Sequence, residues 1–213
     1  MEKKCCIVPD KNDSKKDYWN KNYESKDTQN WIETSEPSIM AWIHQLNLDK
    51  NAIIFCAGVG DSNIVKALLD KGFNNIIAND ISNIALDKLK KDLNSDKVTY
   101  LQDDLINPIM INKYFDKVDL YIDRATLHFF TTCPDKDHYF AQLTNLLKKG
   151  GHSILGVFSK DNNPKCCGLD LQLWSIQSLK NRLDTYKHLG EFDQEFKEIN
   201  GNIRNYIYLL SKK

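Results

Sequence analysis

Two glycines and a row of acids carry the chemistry that this sequence offers. Gly58 and Gly60 close the apolar run 52–57 within the stretch IFCAGVGDS, residues 54–62. A glycine at such a point lets the backbone approach a ligand that a Cβ would strike. Asp80 stands 80 − 58 = 22 residues beyond the first glycine, where a carboxylate accepts two hydrogen bonds from ribose hydroxyls. Asp103 and Asp104 close another apolar run, and Asp123 closes the next. Any one of these acids alone reads as a helix cap or a turn former. Four consecutive run ends marked by Gly or Asp read as a site for a nucleotide-like cofactor.

The elements that must position these residues alternate. Strands are predicted over 52–57, 75–79, 98–102, 118–123 and 152–158, and helices over 37–47, 62–71, 83–93 and 135–148, with a short helix near 110–115. Lys71-Gly72 and Lys149-Gly150-Gly151 supply helix stops. Strands alternating with helices form right-handed βαβ units and a parallel sheet, whose ligands bind at the carboxyl ends of the strands. The last third departs from this rhythm. Helix-like material in 169–189 precedes two strands, 195–199 and 203–210, joined at Asn200-Gly201, a strong hairpin signal. The expected fold is a Rossmann-like α/β three-layer sandwich, with a mostly parallel seven-stranded sheet ending in an antiparallel hairpin. One domain fills the chain: a mobile tail over 1–16, an N-terminal lid and helix over 17–48, and a core over 50–213.

The glycine loop also bears on the choice of cofactor. A pyrophosphate requires a third glycine, where the helix packs tightly against the loop, and Asn63 occupies that position. S-adenosylmethionine (SAM) has no phosphate and makes no such demand. An acid at the third strand end suits its adenine amino group, and the fourth strand end faces its methionine part. The terminal hairpin favours SAM as well, because dinucleotide-binding sheets usually end parallel.

Composition narrows the partners. The 213 residues balance 29 Lys and Arg against 29 Asp and Glu, so the chain lacks the basic footprint of a nucleic-acid binder. Six cysteines occur without a Cys-x-x-Cys pair, a poor framework for disulfides or zinc. No metal site, nucleic-acid partner or membrane partner is expected. The cysteine usage gives a reducing, cytoplasmic setting as the expectation, no signal-like or spanning apolar run is seen, and a monomer or weak dimer is expected.

With these residues assembled, the sequence resembles the class I SAM-dependent methyltransferases over about residues 17–211. The resemblance rests on FCAGVGDS, ANDIS, YLQDDL, VDLYIDRATLHFF and LLKKGGHSILGVFS. It is closer to a branch of small enzymes related to a group that includes protein-lysine methyltransferases. The matching features there are YWNKNY, NWIETSEPSI, the Asp-Arg-Ala-x-x-His-Phe signature at 123–129 and Lys-Cys-x-Gly-Leu at 165–169. The resemblance implies that Gly58 and Gly60 line the methionine and ribose part, with Ser62 in the expected place after them. It implies that Asp80 holds the ribose and Ile81 packs on adenine. Asp104, rather than Asp103, meets the adenine amino group, with Leu105 alongside. Asp123 lies by the methionine amino group, and Trp19 closes over the cofactor. The acid that the family carries at position 56 is Cys56 here.

Methyl transfer from a sulfonium is an in-line displacement, accelerated largely by alignment. A base is needed only where the acceptor carries a proton. His128 is the candidate base, and a loop hydrogen bond is its alternative role. Arg124 would pair with an acidic substrate group or with a neighbouring Asp. Tyr23 and Trp31, with Trp19, either pin an N-terminal arm or form a lid that shapes the acceptor pocket. Cys166, beside Cys167 and Gly168, belongs to the loop over that pocket, where methyl transfer needs no thiol. The expected acceptor is a small molecule, with a protein side chain such as lysine as the alternative. An NAD-dependent oxidoreductase and a non-catalytic SAM-binding module are the readings of another class.

Overall fold

The structure is a computed structural model, and it describes residues 10, 12–25, 37–60, 62–166, 168–197 and 203–213. One seven-stranded sheet organises the chain. Its strands are β1 (Ile53–Ala57), β2 (Asn75–Asp80), β3 (Val98–Gln102), β4 (Val118–Arg124), β5 (Leu147–Phe158), β8 (Lys187–Lys197) and β9 (Ile203–Lys212). They lie in the order β3-β2-β1-β4-β5-β9-β8. The first five run parallel, and β9 and β8 add antiparallel. The chain leaves β1 in one direction across the sheet and returns as β4 on the other side. The crevice of an open α/β sheet therefore falls between the carboxyl ends of β1 and β4.

Alternation along the strands builds a core on each face. Ile54 and Cys56 of β1, with Leu120 and Ile122 of β4, join Ile39 and Ile43 of α2 (Pro37–Gln45), Val65 and Leu68 of α3 (Ile64–Asp70) and Leu86 and Leu89 of α4 (Asn83–Leu93). Phe55, Tyr121, Leu155 and Leu209 point the other way, against Leu143 of α5 (Cys133–Leu146) and Leu179 of α6 (Ile176–Arg182). Helix starts are fixed by local caps. Ser82 accepts from the Ala85 N–H, Thr132 from Asp135, and Ser175 forms a capping box with Ser178.

Three departures from the sequence pattern have identifiable causes. The helix expected to reach residue 148 ends at Leu146, and β5 begins at once. The ladder pairs Val118 with Leu147 and Leu120 with His152, so residues 148–151 bulge opposite Asp119. Gly151 serves close approach there, since a Cβ would lie 2.9 Å from the Val118 carbonyl. The segment 169–189 is helical only over α6. It also contains β7 (Leu169–Asp170), paired with β6 (Lys165–Cys166), and the first residues of β8. Finally α1 (Lys15–Glu24) starts within the stretch read as a tail, because Ser14 caps it by accepting from Asp17. The hairpin turn at Asn200-Gly201 and the side chain of Trp31 lie outside the described residues.

Candidate functional site

The site is assembled where β1, β2, β3 and β4 end. Gly58 and Gly60 take φ of +53° and +55°, a region that only glycine adopts freely. The space that a Cβ would fill at each is occupied by the protein itself: the Thr126 side chain sits against Gly58 and the Tyr23 hydroxyl against Gly60. The glycines therefore admit the β4 loop and α1, where the sequence suggested direct approach of a ligand. Asp80, 6 % exposed, ties this loop to the next strand, accepting from the Gly60 N–H and from the Ser82 N–H at 2.8 Å each. Ser62 is half-buried and caps locally, its hydroxyl accepting from the Ile64 N–H.

The two neighbouring acids after β3 both line one cleft but carry different loads. Asp103 turns inward and accepts from the N–H groups of Ile109, Met110 and Ile111, holding the following loop. Asp104 stays half-buried and, with Ile81 and Gln102, lines a cleft of about 550 Å³ whose far wall is Ser14, Lys15 and Lys16 of the α1 end. Leu105, in contrast, is 5 % exposed and packs in the core.

Asp123, expected by the methionine amino group, is engaged within the protein. It is fully buried. Its oxygens accept from the N–H groups of Thr126 at 2.9 Å and Leu127 at 3.1 Å, and from the Tyr139 hydroxyl at 2.5 Å. Burial pushes its carboxyl up to about 7, against the pull of those donors. It anchors the turn that presses Thr126 onto Gly58. Tyr139, from α5, was not visible as a site residue in the sequence. Its only signal is an inward position on an amphipathic helix, 16 residues from its partner.

His128 does not suit a general base. Its ring is 1 % exposed and stacks on Phe158 at 4.2 Å, with Phe129 at 4.6 Å. Burial, and then the charges of Arg124 and Arg204, depress it to about 3, so the imidazole is neutral and weakly basic. Its Nδ1 has no hydrogen-bond partner among the described residues. The Arg124 guanidinium lies over Phe196 at 5.0 Å and Tyr206 at 4.9 Å, and its Nε donates to the Tyr208 hydroxyl at 3.3 Å. Arg204, which the sequence reading missed, lies over Phe158 at 5.4 Å and points toward the Cys166 sulfur at 3.9 Å. The signal for it is the period of two that puts Arg204, Tyr206 and Tyr208 on one face of a strand.

Helix α1 closes the assembly. Asn20 donates to Asn83 and accepts from the Ser82 hydroxyl, and Lys88 donates to the Tyr23 carbonyl. Trp19 packs edge-on against Phe129 at 5.0 Å, and Tyr18 meets Cys166 and Leu169. One aromatic wall thus runs from Tyr23 on Gly60, through Trp19 and Phe129, to His128, Phe158 and Arg204. Cys56 is a core residue, with its thiol pushed up to about 12 by burial, which makes it a filler with no reactivity at neutral pH. No helix among the described residues is long and apolar enough to cross a membrane.

The comparisons agree with this geometry. Residues 55–155 match a family described as a methyltransferase domain. A SAM-dependent methyltransferase from Anabaena variabilis superposes with a TM-score of 0.74 at 14 % identity, over 100 % of this chain and 99 % of that one. The 1,6-didemethyltoxoflavin-N1-methyltransferase of Burkholderia thailandensis, solved with its acceptor and S-adenosylhomocysteine, gives 0.63 at 15 % identity over 84 % and 77 %. A Mesorhizobium loti S-adenosylmethionine-dependent methyltransferase gives 0.62 at 14 % identity over 83 % and 96 %. No curated protein matches the sequence significantly. The sheet order, the antiparallel end and the flanking layers are those of the SAM-dependent methyltransferase fold.

Proposed function

We propose that the protein is a class I SAM-dependent methyltransferase that methylates a small molecule. The observation that carries this reading is the cleft beyond β2 and β3, where Ile81 and Asp104 line one space and Ile81 follows directly on Asp80, which holds the glycine loop through the Gly60 N–H. These residues fit an adenosine: Ile81 against the base, Asp104 toward the amino group, and Asp80 at the ribose end. When bound, SAM supplies an electrophilic methyl group, whose bond pair stays on sulfur as the acceptor lone pair forms the new bond and any acceptor proton passes to water.

The protein's own contribution is alignment and exclusion of water. Tyr23, read from sequence as an acceptor residue, presents its hydroxyl over Gly60 and so serves the amino-acid end of the cofactor. Trp19 and Phe129 separate that end from solvent on the acceptor side. Asp123 and Tyr139 hold the β4 turn. The neutral His128 is suited to a hydrogen bond and unsuited to proton abstraction. The antiparallel β9 and β8, in place of a parallel sixth strand, speak against a nicotinamide enzyme.

Calorimetric titration with S-adenosylhomocysteine and with NAD tests the reading. Binding of the first and not the second is expected, and the reverse would overturn it. Turnover of labelled SAM against pooled metabolites separates an enzyme from a binding module.

A further inference from the structure

The cleft beyond β2 and β3 is lined by two opposite charges that do not pair. Asp104 lines it from the end of β3, and Lys16 lines it from the first turn of α1. One Asp104 oxygen accepts from the Ile106 N–H, and no other hydrogen bond or ion pair reaches its carboxylate among the described residues. Lys16 is half-buried, yet its ammonium group has no hydrogen bond or ion pair with any described residue. Its neighbour Lys15 is engaged elsewhere, with Asp135 and over the Phe130 ring. A partly desolvated cation without a partner is unfavourable, and a ligand acceptor would offset that cost. The same cleft has an apolar lining of Ile81, Ile109 and Met110. Ile109 and Met110 are 86 % and 48 % exposed, and Asp103 fixes both by accepting from their N–H groups. Exposed apolar side chains gathered at a groove mark ligand surface.

A carboxylate only accepts hydrogen bonds and an ammonium group only donates them. Together they complement a flat ligand edge that carries a donor beside an acceptor, and adenine has such an edge, with ring nitrogens beside its amino group. We propose that Lys16 is a specificity-determining residue of this slot: its ammonium group donates to a ring nitrogen beside the adenine amino group, while Asp104 accepts from the amino group itself. This deepens the methyltransferase reading and rests on it for the purine being the adenine of SAM. A base with an oxygen in place of the amino group would set one acceptor against another at Asp104. The start of α1, which the composition marks as a tail, thereby reads the donor base.

Calorimetry on the full chain compares S-adenosylhomocysteine with its 1-deaza and 7-deaza analogues, in which a CH replaces one of the two ring nitrogens beside the amino group. One analogue should bind about tenfold more weakly than the parent and the other within about twofold, and the weaker one identifies the nitrogen that Lys16 meets. Lys16→Met keeps an apolar stem and removes the ammonium group. It should weaken S-adenosylhomocysteine binding by about tenfold and bind the sensitive analogue as tightly as the parent. Its thermal midpoint without ligand should match the wild type, which certifies the fold. Lys16→Arg should recover part of the loss. Equal affinities of the wild type for all three ligands would overturn the proposal. So would unchanged binding in Lys16→Met, or a deaza penalty that persists in that variant. If the wild type fails to bind S-adenosylhomocysteine, the methyltransferase reading falls. Adenosine and its two deaza forms then decide on the slot by the same ranking, and failure of adenosine to bind overturns the proposal as well.

Discussion

The hydroxyl of Tyr23 rests on Gly60. One belongs to the first helix and the other to the first strand-to-helix loop, and a Cβ at position 60 would collide with that hydroxyl. The contact fastens α1 to the cofactor loop. It turns a glycine that looks like a ligand residue into a seat for the protein's own first helix.

Gly60→Ala therefore meets two obstacles, the collision with Tyr23 and a φ of +55°. The variant should lose about 1–3 kcal/mol of stability in urea denaturation. Introduced into a Tyr23→Ala background, Gly60→Ala should cost only the backbone part of that loss. No cost in that background would show that the backbone conformation costs nothing.

Asp80 is the hinge pin between the two loops. Asp80→Ala leaves the N–H groups of Gly60 and Ser82 without their acceptor. It should cost about 1–3 kcal/mol and weaken S-adenosylhomocysteine binding by at least about tenfold, read by calorimetry. Asp103→Ala should also destabilise, because it frees three N–H groups of the next loop, yet it should leave the cofactor affinity nearly unchanged.

Asp123 and His128 pull the pH dependence of stability in opposite directions. Folding raises Asp123 to about 7, so the folded state keeps a proton that the unfolded chain releases near 3.8. Its contribution is complete below that value and is lost as pH rises toward 7. Folding lowers His128 from 6.5 to about 3. Its contribution is complete above 6.5 and is lost as pH falls toward 3. Between about 4 and 6.5 the two offset each other. Urea midpoints measured across this range should therefore rise with pH in Asp123→Asn relative to wild type, and fall with pH in His128→Gln. Parallel curves for all three proteins would refute both shifts.

Asn20→Ala should free α1 without unfolding the core. The residue bridges Ser82 and Asn83, and its loss leaves the sheet and both core layers untouched. Amide exchange over Lys15–Glu24 should quicken by about tenfold, the effect of roughly 1.4 kcal/mol. The thermal midpoint of the whole chain should barely move.

The sheet was largely legible in the sequence, because β1 to β4 are apolar runs bounded by caps and glycines. β5 was not read from its start, since Gly150-Gly151 looks like a helix stop when it is in fact a bulge packed under the Val118 carbonyl. Edge strand β8 was read late because its inward residues, Phe192, Gln194 and Phe196, alternate with Asp193 and Glu195 and carry one polar member. At the site, sequence located the acids at the strand ends but not their loads. Asp103 and Asp104 are adjacent, and only the path of the loop to Ile111 decides which one turns inward. The burial of His128 depends on Phe158, thirty residues away at the far end of β5, beyond the whole of α5. The partner of Asp123 is set by how α5 packs, which no local pattern encodes.

The switch between β1 and β4 divides the chain as well as the sheet. Everything that faces the adenosine cleft, apart from the α1 end, is contributed before Arg124. The wall of Arg124, Phe158, Phe196, Arg204 and Tyr206 is completed only by the last strands. Under the proposed function, the capacity to donate a methyl group and the choice of recipient are inherited on separate stretches. A chimera that keeps residues 12–124 and takes its remaining strands from a relative should keep its donor and exchange its recipient.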